Sequence, residues 1–328
     1  MPFLRQDDYL PPLLFRNTYV NTIYPSLFRQ VPDLLYQRER IDTPDGDFLD
    51  LDWAAQGRDK LVIVLHGLES SSDRGYIKGM IRRFGMEGWD GLGMNFRGCS
   101  GEPNRLLRTY HIGETGDLDW VLRHVLSKNQ YREIVLIGFS LGGNVVMKYL
   151  GEQEERLFPE ITKGIAISVP CEVMSANEEF NKWKNWIYMR RFMLSLNPKM
   201  HVKAQLFPDQ YHISIPKPRS FDEFDAAFTA PVHGFDSAED YWMRNSSLTF
   251  IPQIKIPILL INALDDTFLS PACFPYALAE QSSVFHLMTP RYGGHCGFYT
   301  PGKRNVFWSE EQAWKFVGSS LRLRSATA

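Results

Sequence analysis

Apolar positions in the middle of the chain fall into two alternating kinds. Leu61 to Leu65, Gly91 to Asn95, Ile134 to Ile137 and Ile165 to Val169 are short, largely apolar runs with the length of strands buried on both faces. Between them apolar residues recur at three- and four-residue intervals: Ile77, Met80, Ile81 and Phe84, then Leu118, Val121, Leu122 and Val125, then Val146, Tyr149 and Leu150. That spacing predicts helices carrying one apolar stripe. Strands alternating with helices predict a mostly parallel central sheet with helices on both faces, an α/β fold. Upstream, residues 41–53 place Phe48, Leu51 and Trp53 after an Asp45-Gly46 turn, which predicts a hairpin at the antiparallel edge of that sheet.

The rhythm breaks near residue 171. Residues 171–250 are dense in aromatic side chains, Phe180, Trp183, Trp186, Phe192 and Trp242 among them, and prolines interrupt any alternation. It resumes at Ile256 to Asn262, continues with Ser283 to Met288, and closes with a helix holding Ala313, Trp314, Val317 and Leu321. A block that interrupts a parallel sheet reads as an inserted helical cap over the strand C-termini; a few ordinary surface helices are the alternative. For its individual aromatics, the cap's own core is the expected environment. The chain is thus expected to form a single domain over 1–328, with an N-terminal extension 1–40, a core 41–170 and 251–328, and the cap insertion 171–250.

Composition narrows the classes of function. Apolar residues make up 44% of the 328, enough for a substantial core, and the formal charge of −2 is spread along the sequence without a basic block. Nucleic-acid binding therefore has little support. Cys99, Cys171, Cys273 and Cys296 are widely spaced with no C-x-x-C or zinc pattern, so reduced thiols and a cytoplasmic setting are expected. Arg5, Asp7 and Asp8 with Pro2, Pro11 and Pro12 resemble neither a signal segment nor an anchor. No apolar run reaches the ~20 residues needed to span a bilayer, which predicts a soluble protein with no integral membrane segment. The stretch Tyr9 to Val31 is aromatic enough for peripheral membrane contact, although wrapping along the domain is the favoured expectation.

The chemistry is concentrated where Ile134 to Ile137 runs into Gly138-Phe139-Ser140-Leu141-Gly142 and then into a helix. G-x-S-x-G between strand and helix is the nucleophile elbow, a turn sharp enough to hold the serine in a strained conformation with its hydroxyl outward. Gly138 and Gly142 are expected to avoid a clash between the segments flanking the serine. A serine hydroxyl needs a base, and the base needs a carboxylate to hold its tautomer. In this motif's fold the partners follow in the order Ser, acid, His, on loops after later strands. Of eight histidines only His286 and His295 lie far enough along; His286 falls inside a predicted strand, and His295 lies in Tyr292-Gly293-Gly294-His295-Cys296-Gly297 beyond it. His295 is the expected base. The acid should follow Ile256 to Asn262, where Asp265 and Asp266 stand together; Asp266, just before a short apolar stretch leading to Pro271, is favoured, leaving Asp265 to cap a turn or accept from backbone amides. The oxyanion formed on attack needs N–H donors, expected from the amide of Leu141 and from that of Leu68 in His66-Gly67-Leu68-Glu69. His66 is expected to support its loop, not to act as a base or a metal ligand, and Arg97 to tie loops together through backbone carbonyls.

With these residues placed, the chain resembles the YheT-like α/β hydrolases. The resemblance runs along nearly the whole length, from Pro11-Pro12-Leu13-Leu14-Phe15-Arg16-Asn17 and Thr22-Ile23-Tyr24-Pro25, through Thr43-Pro44-Asp45-Gly46-Asp47-Phe48, His66-Gly67-Leu68-Glu69-Ser70 and Asn95-Phe96-Arg97-Gly98-Cys99-Ser100-Gly101, to the elbow, Asn262-Ala263-Leu264-Asp265-Asp266 and Gly293-Gly294-His295-Cys296-Gly297. It implies the α/β-hydrolase fold, a triad of Ser140, Asp266 and His295, and hydrolysis of carboxylic esters without a cofactor. Thr267 departs from the proline that commonly follows the second aspartate, which should change loop stiffness and not chemistry. The expectation is a serine carboxylesterase acting on a small-molecule or lipid ester of short to medium acyl chain. A phospholipase or acyltransferase using the same triad is the nearest alternative, and a binding module without turnover the remote one.

Overall fold

Alternate side chains of a strand point to opposite faces, and the computed structural model, which describes residues 9–302 and 304–318, shows both faces covered. Eight strands, β1 (Gln37–Asp42), β2 (Phe48–Ala54), β3 (Lys60–Leu65), β4 (Asp90–Met94), β5 (Glu133–Phe139), β6 (Ile161–Ile167), β7 (Ile258–Ile261) and β8 (Phe285–Met288), form one sheet among the described residues, in the order β1-β2-β4-β3-β5-β6-β7-β8. The pairs β1–β2 and β2–β4 are antiparallel and all others parallel. Along the chain come helices α1 (Thr18–Phe28), α2 (Gly75–Gly85), α3 (Gly116–Ser127), α4 (Leu141–Gln153), α5 (Val173–Phe180), α6 (Trp186–Leu206), α7 (Phe221–Phe224), α8 (Ala230–His233), α9 (Ala238–Asn245), α10 (Tyr276–Gln281) and α11 (Trp308–Gly318). This is the mostly parallel α/β sheet that the pattern predicts, in the α/β-hydrolase architecture that the resemblance implies.

Strand β3 shows how the faces divide. Leu61, Ile63 and Leu65 join a core with Leu118 and Val121 of α3 and Val145, Val146 and Tyr149 of α4. Val62 and Val64 point the other way, into a core with Ile77 and Phe84 of α2 and Ala313 and Phe316 of α11. The chain order reverses between β3 and β5: β4 lies on one side of β3 and β5 on the other. In open α/β sheets the crevice beyond the strand C-termini at such a switch point is where ligands bind. Two loops meet there, one leaving β3 at Leu65 and one leaving β5 at Phe139.

The edge hairpin is present, but it begins earlier than residues 41–53. Its first strand is Gln37–Asp42, paired so that Gln37 faces Trp53. Gln37 to Arg40 read Gln-Arg-Glu-Arg and are half-buried to exposed, so an edge strand in water carried no apolar alternation to reveal it. The boundary at residue 40 therefore cuts through β1. Between β6 and β7 the described residues contain no strand, only helices and turns. The N-terminal segment lies against the domain: Phe15 stacks on Tyr299 at 3.8 Å between ring centroids, and Tyr9 packs 5.0 Å from Trp308. Leu321 and the polar start of the chain with Pro2, Arg5, Asp7 and Asp8 lie outside the described residues. No described helix is long and apolar enough to cross a membrane.

Candidate active site

Ser140 stands between the last residue of β5 and the first of α4 with φ 52° and ψ −120°, a conformation that L-residues rarely adopt. Its amide donates to Ile167 of β6 at 2.8 Å, and its carbonyl accepts from the amides of Gly143 and Asn144, so the turn is fixed on both sides. Gly138 has the neighbour expected across the elbow, and Gly142 has a different one. A Cβ at Gly138 would meet the Gly142 carbonyl oxygen at 2.2 Å, whereas a Cβ at Gly142 would meet the carbonyl oxygens of His66 and Leu65 at 2.6 and 2.7 Å. The second glycine therefore lets α4 start directly against the end of β3.

Loops after β7 and β8 complete the arrangement. His295 Nε2 lies 2.9 Å from Ser140 Oγ, and its Nδ1 lies 2.8 Å from Asp266 Oδ2. The other Asp266 oxygen accepts from the Phe268 amide at 3.0 Å, and the Phe268 ring stacks over the imidazole with centroids 4.1 Å apart. Burial disfavours the charged imidazole, but the adjacent Asp266 carboxylate, and after it Cys296, outweigh it and raise His295 above the ordinary histidine range. Asp265 turns away and accepts from the Gly294 amide at 2.9 Å; burial raises its carboxyl to about 6. Asp266, not Asp265, is thus the carboxylate at the imidazole. His286 sits in β8, with Phe316 5.3 Å away, far from this chemistry in the sheet.

The loop after β3 offers three consecutive amides. Those of Gly67 and Glu69 donate to the hydroxyls of Tyr76 and Tyr110, at 3.1 and 2.8 Å. The amides of Leu68 and Leu141 make no hydrogen bond among the described residues, and both leucines border the same cavity as Ser140 and His295. Burial holds His66 neutral, lowering it to about 4. Its Nε2 accepts from the Phe96 amide at 3.2 Å, which leaves Nδ1–H to donate to the Gly67 carbonyl at 2.7 Å. His66 is loop support. Among the described residues no group of three His, Cys, Asp or Glu side chains is arranged to hold a metal ion.

Arg97 ties loops together by another route than backbone carbonyls. It forms a two-pronged pair with Asp117 at 2.7 and 2.8 Å and reaches Asp45 and Asp47 at 2.9 and 3.1 Å. Three carboxylates match a planar guanidinium better than carbonyls would, since Arg97 is buried with Asp47 and Asp117 and only Asp45 reaches the surface. Asp45 and Asp47 belong to the β1–β2 turn and Asp117 to α3, so Arg97 joins three parts of the chain.

A cavity of about 470 Å³ opens above Ser140. The helices between β6 and β7 wall it with Phe180, Phe192, Phe221, Phe224 and Phe228, which also pack on one another or on Tyr188 and Met193. Those rings are both core and lining. Trp183 and Trp186 are neither: they are 84% and 58% exposed, which overturns the expectation of a buried environment for them. Polar side chains interrupt the wall at Asn177, Lys199, Lys203 and Asp225, and the Asp225 carboxylate accepts from Thr229 Oγ1 at 2.6 Å and Trp242 Nε1 at 2.8 Å.

Three supporting residues escaped the reading of the sequence. Thr22 of α1 accepts the His295 amide at 2.9 Å. Ser168 Oγ accepts the Cys296 amide at 2.9 Å. Glu69, at φ 51°, has its carboxylate bonded by the Tyr110 hydroxyl at 2.9 Å, by Lys199 Nζ at 2.9 Å and by the Ser195 hydroxyl. Each contact spans tens to hundreds of residues, so no local spacing encodes it. The signals were the runs Thr22-Ile23-Tyr24-Pro25 and His66-Gly67-Leu68-Glu69-Ser70, visible as motifs without a mechanism for Thr22 or Glu69.

A serine on a strand–helix elbow, an imidazole between it and a buried carboxylate, and a sheet whose order reverses at that point define the α/β-hydrolase class. The chain belongs to the α/β-hydrolase fold family, whose model matches residues 60–299. Within it the chain is YheT-like. It is 33% identical to the YheT protein of Escherichia coli (strain K12), provisionally named an esterase, over 90% of this chain and 88% of that one. It is 27% identical to the Bos taurus phospholipase ABHD3, over 89% of this chain and 73% of that one. Among solved structures, the Pyrococcus furiosus esterase Pf2001 superposes with a TM-score of 0.57 at 19% identity, covering 87% of this chain and 91% of its own, a likeness of fold.

Proposed function

We propose that this hydrolase is a serine carboxylesterase working through an acyl-enzyme. Ser140 Oγ attacks the ester carbonyl as His295 Nε2 takes its proton; Asp266 holds Nδ1–H and balances the imidazolium. The amides of Leu68 and Leu141 donate to the oxyanion, and the positive end of α4 adds to that stabilisation. Collapse expels the alcohol with the proton from His295, and water then repeats the sequence to release the acid. The observation that carries this reading is the imidazole bridging Ser140 and Asp266 at 2.9 and 2.8 Å on the wall of a largely apolar cavity.

Residues 171–250 act in this reading as a cap whose aromatic wall receives the acyl chain. About 470 Å³ suits a short to medium chain. The four unbridged thiols support a reducing, cytoplasmic setting. Replacing Ser140 with alanine is expected to abolish both fluorophosphonate labelling and hydrolysis of p-nitrophenyl butyrate. A Ser140→Ala protein that kept the wild-type rate would refute the proposal. The phenylalanine-lined wall and the similarity to a relative named a phospholipase favour one second reading, removal of an acyl chain from a phospholipid by the same residues. Product analysis on short-chain phosphatidylcholine, with competing alcohols to detect acyl transfer, separates the two.

A further inference from the structure

Helix α6 is apolar on both sides, although only one side is buried. Tyr188, Met189, Met193, Leu196 and Met200 turn inward. On the outer side, beyond the exposed Trp183 in the turn that precedes α6, Ile187 and Leu194 lie seven residues apart, with Leu194 67% exposed, and Val202 and Leu206, four apart, continue the face. Large apolar side chains scattered singly over a surface are unremarkable, but a continuous stripe headed by two tryptophans marks a face that meets something other than water.

The charges say what it meets. From Trp186 to Leu206 the charged residues are Arg190, Arg191, Lys199 and Lys203, all basic, in a chain whose formal charge is −2. Lys199 and Lys203 reach inward, to Glu69 and to the carbonyls of Asn104 and Leu106. Arg190 and Arg191 are exposed among the outer apolar residues. Two copies of the chain meeting symmetrically through this face would set these arginines against their own counterparts, which like-charge repulsion opposes. An anionic bilayer has the opposite sign, takes tryptophan at the headgroup level, and yields to an irregular apolar stripe.

We propose that the outer face of α6, with Trp183 at its head, docks the protein on anionic lipid surfaces. The face also borders the cavity: Val202 is both 40% exposed and part of the cavity wall. Docking would therefore bring the cavity mouth to the lipid. The N-terminal segment stands alongside, since the Tyr19 hydroxyl donates to the Lys184 carbonyl at 3.3 Å. The proposal concerns binding and does not depend on the esterase reading.

Cosedimentation of the full chain with phosphatidylcholine vesicles, with and without phosphatidylglycerol, tests it. Wild-type protein should pellet with the anionic vesicles, less so as salt rises, and weakly with the neutral ones. The pairs Trp183→Ala/Trp186→Ala and Arg190→Glu/Arg191→Glu should each weaken binding by about tenfold or more, since each basic residue near an anionic surface contributes a several-fold factor. Both should keep the wild-type far-UV circular dichroism and urea midpoint, which shows that they fold. Absence of wild-type binding, equal binding by the variants, or equal affinity for neutral vesicles would each overturn the proposal. So would a wild-type dimer that the same substitutions dissociate, since the face would then belong to a second copy.

Discussion

Two opposing effects act on the imidazole of His295. Burial favours its neutral form, and the Asp266 carboxylate, 2.8 Å from Nδ1, favours its charged form more strongly, so its affinity for protons is raised. Only the neutral ring can take the Ser140 proton. Esterase activity should therefore be low in acid and rise as pH increases through the His295 pKa, with a midpoint above the ordinary value of about 6.5. Asp266→Asn removes the stronger of the raising influences and leaves that of Cys296 against burial, which shifts that midpoint toward acid. It also allows the wrong tautomer, and losing that orientation costs about 10⁴-fold in kcat in a triad of this kind. Rate–pH profiles of the two proteins check both effects; an unmoved midpoint in Asp266→Asn would show that the carboxylate does not set it. Chain order, which the fold fixes, narrowed the partners to two histidines and two aspartates; the strand predicted over His286 and the apolar stretch leading to Pro271 then selected His295 and Asp266. Chain order could not find Thr22 or Phe268 as supports. Those roles depend on which surface of α1 meets the His295 loop and on which ring lies over the imidazole, and neither leaves a period in the sequence.

Elements were legible in proportion to how far their burial was one-sided or complete. Strands β3 to β7 are apolar throughout much of their length because both faces are covered, and α2 and α3 carry clear stripes. Strand β1 is polar because it lies at an edge, and α6 shows no clean stripe because both its sides are apolar. The elbow depends on closeness between elements. Gly142→Ala would drive a Cβ into two backbone carbonyls, of His66 and Leu65, neither of which can rotate away. Overpacking of this kind costs about 1–3 kcal/mol, and a lower urea midpoint with reduced kcat is expected; an unchanged midpoint would mean that α4 can slide off β3. A second tie joins α6 to the loop bearing Leu68. Lys199 and Ser195 hold the Glu69 carboxylate, and Tyr110 holds both that carboxylate and the Glu69 amide. In the proposed mechanism Lys199 and Glu69 are thus positioning residues for the neighbouring Leu68 amide. Lys199→Met should lower kcat and kcat/KM together, by about tenfold but short of the ~10²–10³ lost with a whole oxyanion donor, because the interaction exists only in the transition state. A rise in KM at constant kcat would instead assign Lys199 to ground-state binding of substrate.

At the scale of the molecule, the two ends of the described chain are locked onto α2. Arg29, just past α1, pairs with Glu310 of α11 at 2.5 and 3.0 Å, both side chains being 2% exposed. The guanidinium also donates to the Asn305 carbonyl at 2.9 Å and lies 3.6 Å over the Phe307 ring, while Glu310 accepts the Phe307 amide. Gly79 of α2 makes room for the pair: a Cβ there would lie 2.3 Å from both Arg29 Nη2 and Glu310 Oε1. The same N-terminal segment carries Thr22, whose hydroxyl accepts the His295 amide. The arm is therefore continuous with the site, and its anchor should matter to both stability and rate. Arg29→Met leaves Glu310 buried beside an empty place, and breaking a buried pair from one side costs about 3–5 kcal/mol. The double substitution Arg29→Met/Glu310→Met removes the stranded charge and should recover much of that loss, because an apolar pair of similar volume often replaces a buried ion pair without penalty. The recovery has a limit, since Asn305 and Phe307 still lose their partners. Urea denaturation of the two singles and the double gives the coupling directly. Losses that simply add would mean that the pair is incidental and that the aromatic contacts of Tyr9 and Phe15 hold the arm. A double variant with restored stability and restored kcat would show that the arm serves the His295 loop by its position, and that the charges serve only to fix it there.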